Sequence, residues 1–145
     1  MEKFKFRLES VKKVKEAFEK KAQKELAQID SFIKKHELLK NQLIGEVNTL
    51  RNSGYRNRVR ACDLQFIGGY GNVLRNQIEF EDHELSELSR QRETKVKEVI
   101  IKTKEKKMLA QLEETHREKF ERELFKNELK LFDELAVRNF ARENK

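Results

Sequence analysis

The 145 residues contain no proline, no tryptophan and a single cysteine, and aromatic residues make up only 8% of the chain. Proline is the strongest breaker of helix interiors, so its absence leaves long helices unobstructed. The lone Cys62 excludes a disulfide framework within the chain and fits a reducing compartment. No apolar run approaches the roughly 18–20 residues of a spanning helix; Val99-Ile100-Ile101 is among the longest. The opening Met1-Glu2-Lys3-Phe4-Lys5-Phe6 lacks the apolar centre of a signal peptide. These absences predict a soluble, cytoplasmic protein.

Apolar residues are scarce too, at 37% against 41% charged. A compact globule usually needs about 45–50% apolar residues, so a thick core is excluded, and the choice lies between disorder and a thin seam along helices. Periodicity favours the seam. In heptads from Phe4 to Leu50, one position falls on Leu8, Lys15, Ala22, Ile29, His36, Leu43 and Leu50. A second falls on Phe4, Val11, Phe18, Glu25, Phe32, Leu39 and Glu46, with Leu26 and Val47 standing beside its two carboxylates. Such slippage is the drift of a 3.6-residue helix read against a 3.5 repeat. A second arm carries Phe66, Tyr70, Val73, Leu74 and Ile78, and continues through Leu85, Leu88, Val96 and Val99 to Leu135. Late in this arm Leu109, Phe120 and Leu131 recur every eleven residues.

Between the arms, Asn52-Ser53-Gly54-Tyr55-Arg56-Asn57 is rich in turn formers. The expected organisation is one all-α domain over 1–145: helix 3–52, turn 53–61 and helix 62–142, folded as a long antiparallel coiled-coil hairpin with the longer arm second. Gly68, Gly69 and Gly71 each cost a helix roughly 1 kcal/mol against alanine, predicting a softened helix start or, alternatively, a turn reaching residue 71. Folding about residue 57 leaves much of the chain after about residue 110 without an intramolecular partner. That overhang carries one apolar stripe of Phe120, Leu124, Leu131 and Leu135, and beside it Phe125, Leu129, Phe132, Ala136 and Phe140. A contiguous exposed patch of this kind marks a partner site; the alternative is that it folds back or dimerises.

The net charge of +7 invites a nucleic-acid reading, but acidic residues are interleaved throughout, as in Lys15-Glu16 and Arg117-Glu118-Lys119. Positive charge concentrates only at Arg51, Arg56, Arg58 and Arg60, so no nucleic-acid partner is expected. No motif for chemistry appears. Gly68-Gly69-Tyr70-Gly71 follows no strand and precedes no Lys-Ser/Thr, which a phosphate loop requires. His36 and His83 fall at similar levels on opposite arms, yet a metal needs further ligands, and polar breaks that fix register are the plainer reading. The expectation is no enzyme, no cofactor and no metal.

Two stretches carry a resemblance. The opening Phe4-Lys5-Phe6-Arg7-Leu8 and the closing Glu128, Lys130, Asp133-Glu134 and Ala136 resemble the FliJ family of the bacterial flagellar type III export apparatus. Gln65-Phe66-Ile67 with Tyr70, Val73 and Gln77 is similar to the segment that follows the family's turn, although Gly68, Gly69 and Gly71 depart from it. The resemblance implies a non-enzymatic cytoplasmic component at the base of the export apparatus, resembling the stalk of a rotary ATP synthase. Its implied partners are the hexameric export ATPase FliI, the cytoplasmic domain of the gate protein FlhA, and export chaperones, with the membrane approached only through them. On this reading Leu43, Leu50, Phe66, Tyr70, Val73 and Gln77 form the gate-facing surface. The ATPase is met by Phe120, Leu124, Phe125, Leu131, Phe132, Asp133, Glu134, Leu135 and Phe140, and Arg51, Arg56, Arg58 and Arg60 steer an acidic partner. Alternatives are a stalk of a virulence secretion system, a structural coiled coil, or a nucleic-acid-binding one.

Overall fold

A computed structural model of the chain describes residues 3–56 and 60–143, the side chains of Tyr55, Arg56 and Glu143 excepted. The chain is all-α, a two-helix antiparallel hairpin: α1 spans Glu9–Arg56 (48 residues) and α2 spans Ala61–Glu143 (83 residues). Contacts divide it into two compact units, one of residues 1–19 with 101–145, the other of residues 20–100.

The unit of residues 20–100 has an apolar seam. On α1 the inward positions are Ala22, Leu26, Ile29, Ile33, His36, Lys40, Leu43, Val47, Leu50 and Gly54, alternating by four and three residues. On α2 they are Ile67, Gly71, Leu74, Ile78, Glu81, Leu85 and Leu88. That alternation is the mark of a coiled-coil seam. Leu74, only 2% exposed, is its most deeply buried side chain. Ion pairs flank the apolar layers and show the antiparallel direction: Lys95 with Glu25 at 2.7 Å, Arg92 with Asp30 at 2.6 Å, and Lys40 with Asp82 at 2.5 Å. Besides Lys40, a polar layer lies within the seam where His36 Nδ1 meets buried Glu81 at 2.6 Å; His83 is exposed and takes no part.

The unit of residues 1–19 and 101–145 is built differently. Lys12, Lys15 and Glu19 occupy inward positions of α1, facing Glu113, Glu105 and Lys106 of α2 at 2.6, 2.8 and 2.7 Å. Glu19 is only 4% exposed and also accepts a 3.0 Å hydrogen bond from Thr103. The hydrogen bond from Lys106 holds the Glu19 carboxyl below its ordinary range, against the opposing effect of burial. Phe18, by contrast, is exposed, with Lys102 lying 5.7 Å from its ring centre.

Three expectations are revised. Of the two heptad series proposed for α1, the one through Ala22 and Leu43 faces inward, but Val11, Phe18, Phe32 and Leu39 of the other are exposed. Its place is taken by Lys12, Glu19, Leu26, Ile33, Lys40 and Val47, so α1 has more apolar surface than one seam covers. Second, α1 starts at Glu9 rather than at residue 3. Phe4 and Phe6 lie in the segment before it, against α2: Phe4 meets Phe120 at 5.7 Å and Phe6 meets His116 edge-on at 5.9 Å. This aromatic clip also gives part of the chain beyond residue 110 an intramolecular partner. Third, the turn is shorter than 53–61. Ser53 Oγ donates to the Leu50 carbonyl at 2.8 Å and stays within α1, as hydroxyls inside helices do. The helix α2 begins where the Asp63 carboxylate accepts the Arg60 backbone N–H at 3.3 Å, the returning half of a capping box. It then runs unbroken through Gly68, Gly69 and Gly71, without positive φ at any of them.

Candidate partner-binding surfaces

Because the seam of residues 20–100 uses Ile67, Gly71, Leu74 and Ile78, the neighbouring stripe of α2 turns outward. Phe66, Tyr70, Val73, Gln77 and Phe80 recur on it by four and three residues, all exposed. Phe66 is 74% exposed and lies parallel to Tyr70 with ring centres 6.4 Å apart. The Tyr70 hydroxyl donates to Glu46 of α1 at 3.4 Å. Exposed Leu39 and buried Leu43 of α1, with Val73, Gln77 and Phe80 of α2, line one shallow groove. Tyr70 and Leu50 line a second with Glu46, Thr49 and Ser53. The six residues expected on one surface therefore come together, but in two roles. Phe66, Tyr70, Val73 and Gln77 are accessible, whereas Leu43 and half-buried Leu50 form the groove floor. Leu39 and Phe80 were not among the expected residues, although Phe80 continues the seven-residue step from Phe66 through Val73.

A third groove is lined by Val47, Asn48, Leu50, Arg51, Ile67, Gly68, Gly71 and Arg75. Its two arginines have no ion-pair partner among the described residues; Arg75 makes one 3.4 Å contact with Asn72. Arg60 is exposed, and its guanidinium likewise has no ion-pair partner among the described residues. The expected steering residue Arg58 and the side chain of Arg56 lie outside the described residues. From Lys40 to Lys95 the sequence has no other lysine, and its cations are all arginine. Arginine's planar fork suits bidentate pairing with carboxylates.

In the other unit, the expected ATPase-facing residues divide. Phe120, against Phe4, and Leu124 are half-buried. From Phe125 onward every side chain described is exposed, Phe132 at 67%, together with Leu131, Asp133, Glu134, Leu135 and Phe140. The partner-free stretch is thus shorter than the sequence implied.

Among the described residues no group of three or more His, Cys, Asp or Glu is placed to hold a metal. No described helix is long and apolar enough to cross a membrane. Comparison with known proteins gives one finding: the family model described as flagellar FliJ protein matches residues 4–145. No curated protein and no solved structure matches significantly.

Proposed function

We propose that this chain, which belongs to the flagellar FliJ protein family, is the stalk that links the export ATPase to the export gate. Membership makes it a component of the flagellar type III export apparatus. The finer reading assigns the end of α2 to the hexameric ATPase and the Phe66–Phe80 surface to the gate's cytoplasmic domain, with export chaperones as further partners. The observation that carries it is the bare helix from Phe125 to Arg142. Isolated helices are held mainly by packing, and so long an exposed apolar face calls for a covering surface. The arginines without acidic partners support an acidic gate surface, since such charges raise association rates.

Co-purification with the cognate ATPase and gate domain tests both assignments. A chain ending at Leu129 should lose the ATPase and keep the gate domain. Phe66→Ala with Tyr70→Ala should do the reverse while leaving the melting temperature nearly unchanged, because both rings are exposed. Retention of the ATPase by the shortened chain at full-length strength overturns the first assignment. A large fall in melting temperature for the double variant means that the two rings close the hairpin instead.

A further inference from the structure

We infer that the exposed end of α2 pairs antiparallel with the same segment of a second copy of this chain. The inference goes beyond the stalk reading and does not depend on it. All side chains described after Leu124 are exposed, so the sequence there is free to show which helix it matches. With Leu129 and Ala136 at one core position of a heptad and Phe125 and Phe132 at the other, the segment is its own complement. An antiparallel pair centred between Lys130 and Leu131 sets Phe125 opposite Ala136 of the second copy, and Leu129 opposite its Phe132. Large residues then face small or medium ones, as close packing of a core demands.

The charges agree. The same register brings Lys126 beside Asp133 of the second copy, and two-fold symmetry repeats the pair. Neither residue has an ion-pair partner within its own chain among the described residues, whereas Arg122, one turn earlier, is paired with Glu118. A parallel pair fails on both counts. It stacks Phe125 on Phe125 and Ala136 on Ala136, leaving a gap at the latter, and it sets Glu128 against Asp133. Flanking charges choose between orientations in this way. The proposed ATPase-facing surface shares Phe125, Phe132 and Asp133 with this face, so self-pairing and ring binding compete, and the free protein keeps this stripe covered until a partner displaces the second copy.

Sedimentation of the full chain, without ATPase, tests this over about 1–200 µM, the range in which a short seam is expected to associate. A monomer–dimer equilibrium is expected. Lys126→Asp alone and Asp133→Lys alone should each weaken it at least about fivefold, since each turns two attractive pairs repulsive. Mixing the two single variants should restore dimers, as should the double exchange in one chain. Both positions are exposed, and circular dichroism checks that the helices persist. A chain that stays monomeric throughout the range overturns the proposal. So does a dimer that ignores both charge reversals, or variants that fail to recover on mixing.

Discussion

The two units pair the same two helices by different chemistry. In residues 20–100 the layers are Leu26, Ile29, Ile33, Leu43 and Val47 against Leu74, Ile78, Leu85 and Leu88. In residues 1–19 and 101–145 the matching layers are Lys12, Lys15 and Glu19 against Glu113, Glu105 and Lys106. Apolar layers stabilise in proportion to buried area and tolerate sliding. Ion pairs hold one register but return little net stability, because desolvation offsets their attraction. The first unit is therefore the anchor of the fold, and the second is a clamp that fixes which residues meet. Among its described residues the one buried apolar side chain is Phe6 of the aromatic clip, 7% exposed.

The largest effect should come from cutting the anchor. Leu74→Ala removes the most buried side chain, and substitutions of this kind cost about 2–5 kcal/mol. Thermal melting followed by circular dichroism should show a large drop. Phe132→Ala, of a residue 67% exposed, should leave melting nearly unchanged at concentrations where the chain is monomeric. Equal losses from the two would mean that the thin seam does not anchor the hairpin.

Acid should divide the units. Hydrogen bonds from Lys106 and Lys15 lower the Glu19 and Glu105 carboxyls below the ordinary value of 4.5. A lowered carboxyl gives its stabilisation in full above that ordinary value and loses it as pH falls through the folded-state value. At the alkaline end, Lys12 and Lys106 are raised above 10.5 by bonds to Glu113 and Glu19. Their contribution is complete below 10.5 and is lost as pH rises through the raised value. Hydrogen exchange at residues 12–19 should thus lose protection below about pH 4.5 before residues 26–33 do. The apolar unit has carboxylate pairs too, Glu25 being lowered by Lys95, and its Leu26 and Ile29 layers should hold it when they are lost. Simultaneous loss would show that the apolar seam does not stand without the ionic one.

The difference between the units also explains what could be read in advance. Two long helices, their antiparallel pairing and the longer second arm follow from missing proline and heptad spacing. Which apolar series of α1 turns inward does not follow, because Phe18 looks like a better core residue than Glu19. Lys106 and Thr103, more than eighty positions away, decide that choice by satisfying the carboxylate. Distant partners hide the start of α1 in the same way: Phe4 and Phe6 fit a helical pattern locally but lie against Phe120 and His116. The outward stripe from Phe66 was visible as a cluster, yet Phe80 escaped it because Leu74 and Ile78 compete for the same apolar pattern. The grooves needed both helices in place, since Leu39, Leu43 and Glu46 supply their other walls.

The smallest effect is a gain, and it bears on whether the anchor has reached its limit. Gly69 is exposed, takes no positive φ and has nothing within 4 Å of where a Cβ would stand. Neither backbone geometry nor packing within the hairpin therefore requires glycine there. Alanine reduces the backbone entropy lost on folding, worth roughly 0.5–1 kcal/mol in a helix interior. Gly69→Ala should raise the melting temperature by about 2–4 °C for a chain of this size. The neighbouring Gly68 lines the Arg51–Arg75 groove, so Gly68→Ala should give a similar gain in melting and separate stability from binding. A gate domain that binds the Gly68→Ala chain less well, though the chain melts higher, identifies a backbone kept bare for a partner's close approach. Unchanged affinity would assign the glycine no part in recognition. A lower melting temperature for Gly69→Ala would be the sharper result, because it contradicts a regular helix at this position and with it the ordered stripe from Phe66 to Phe80.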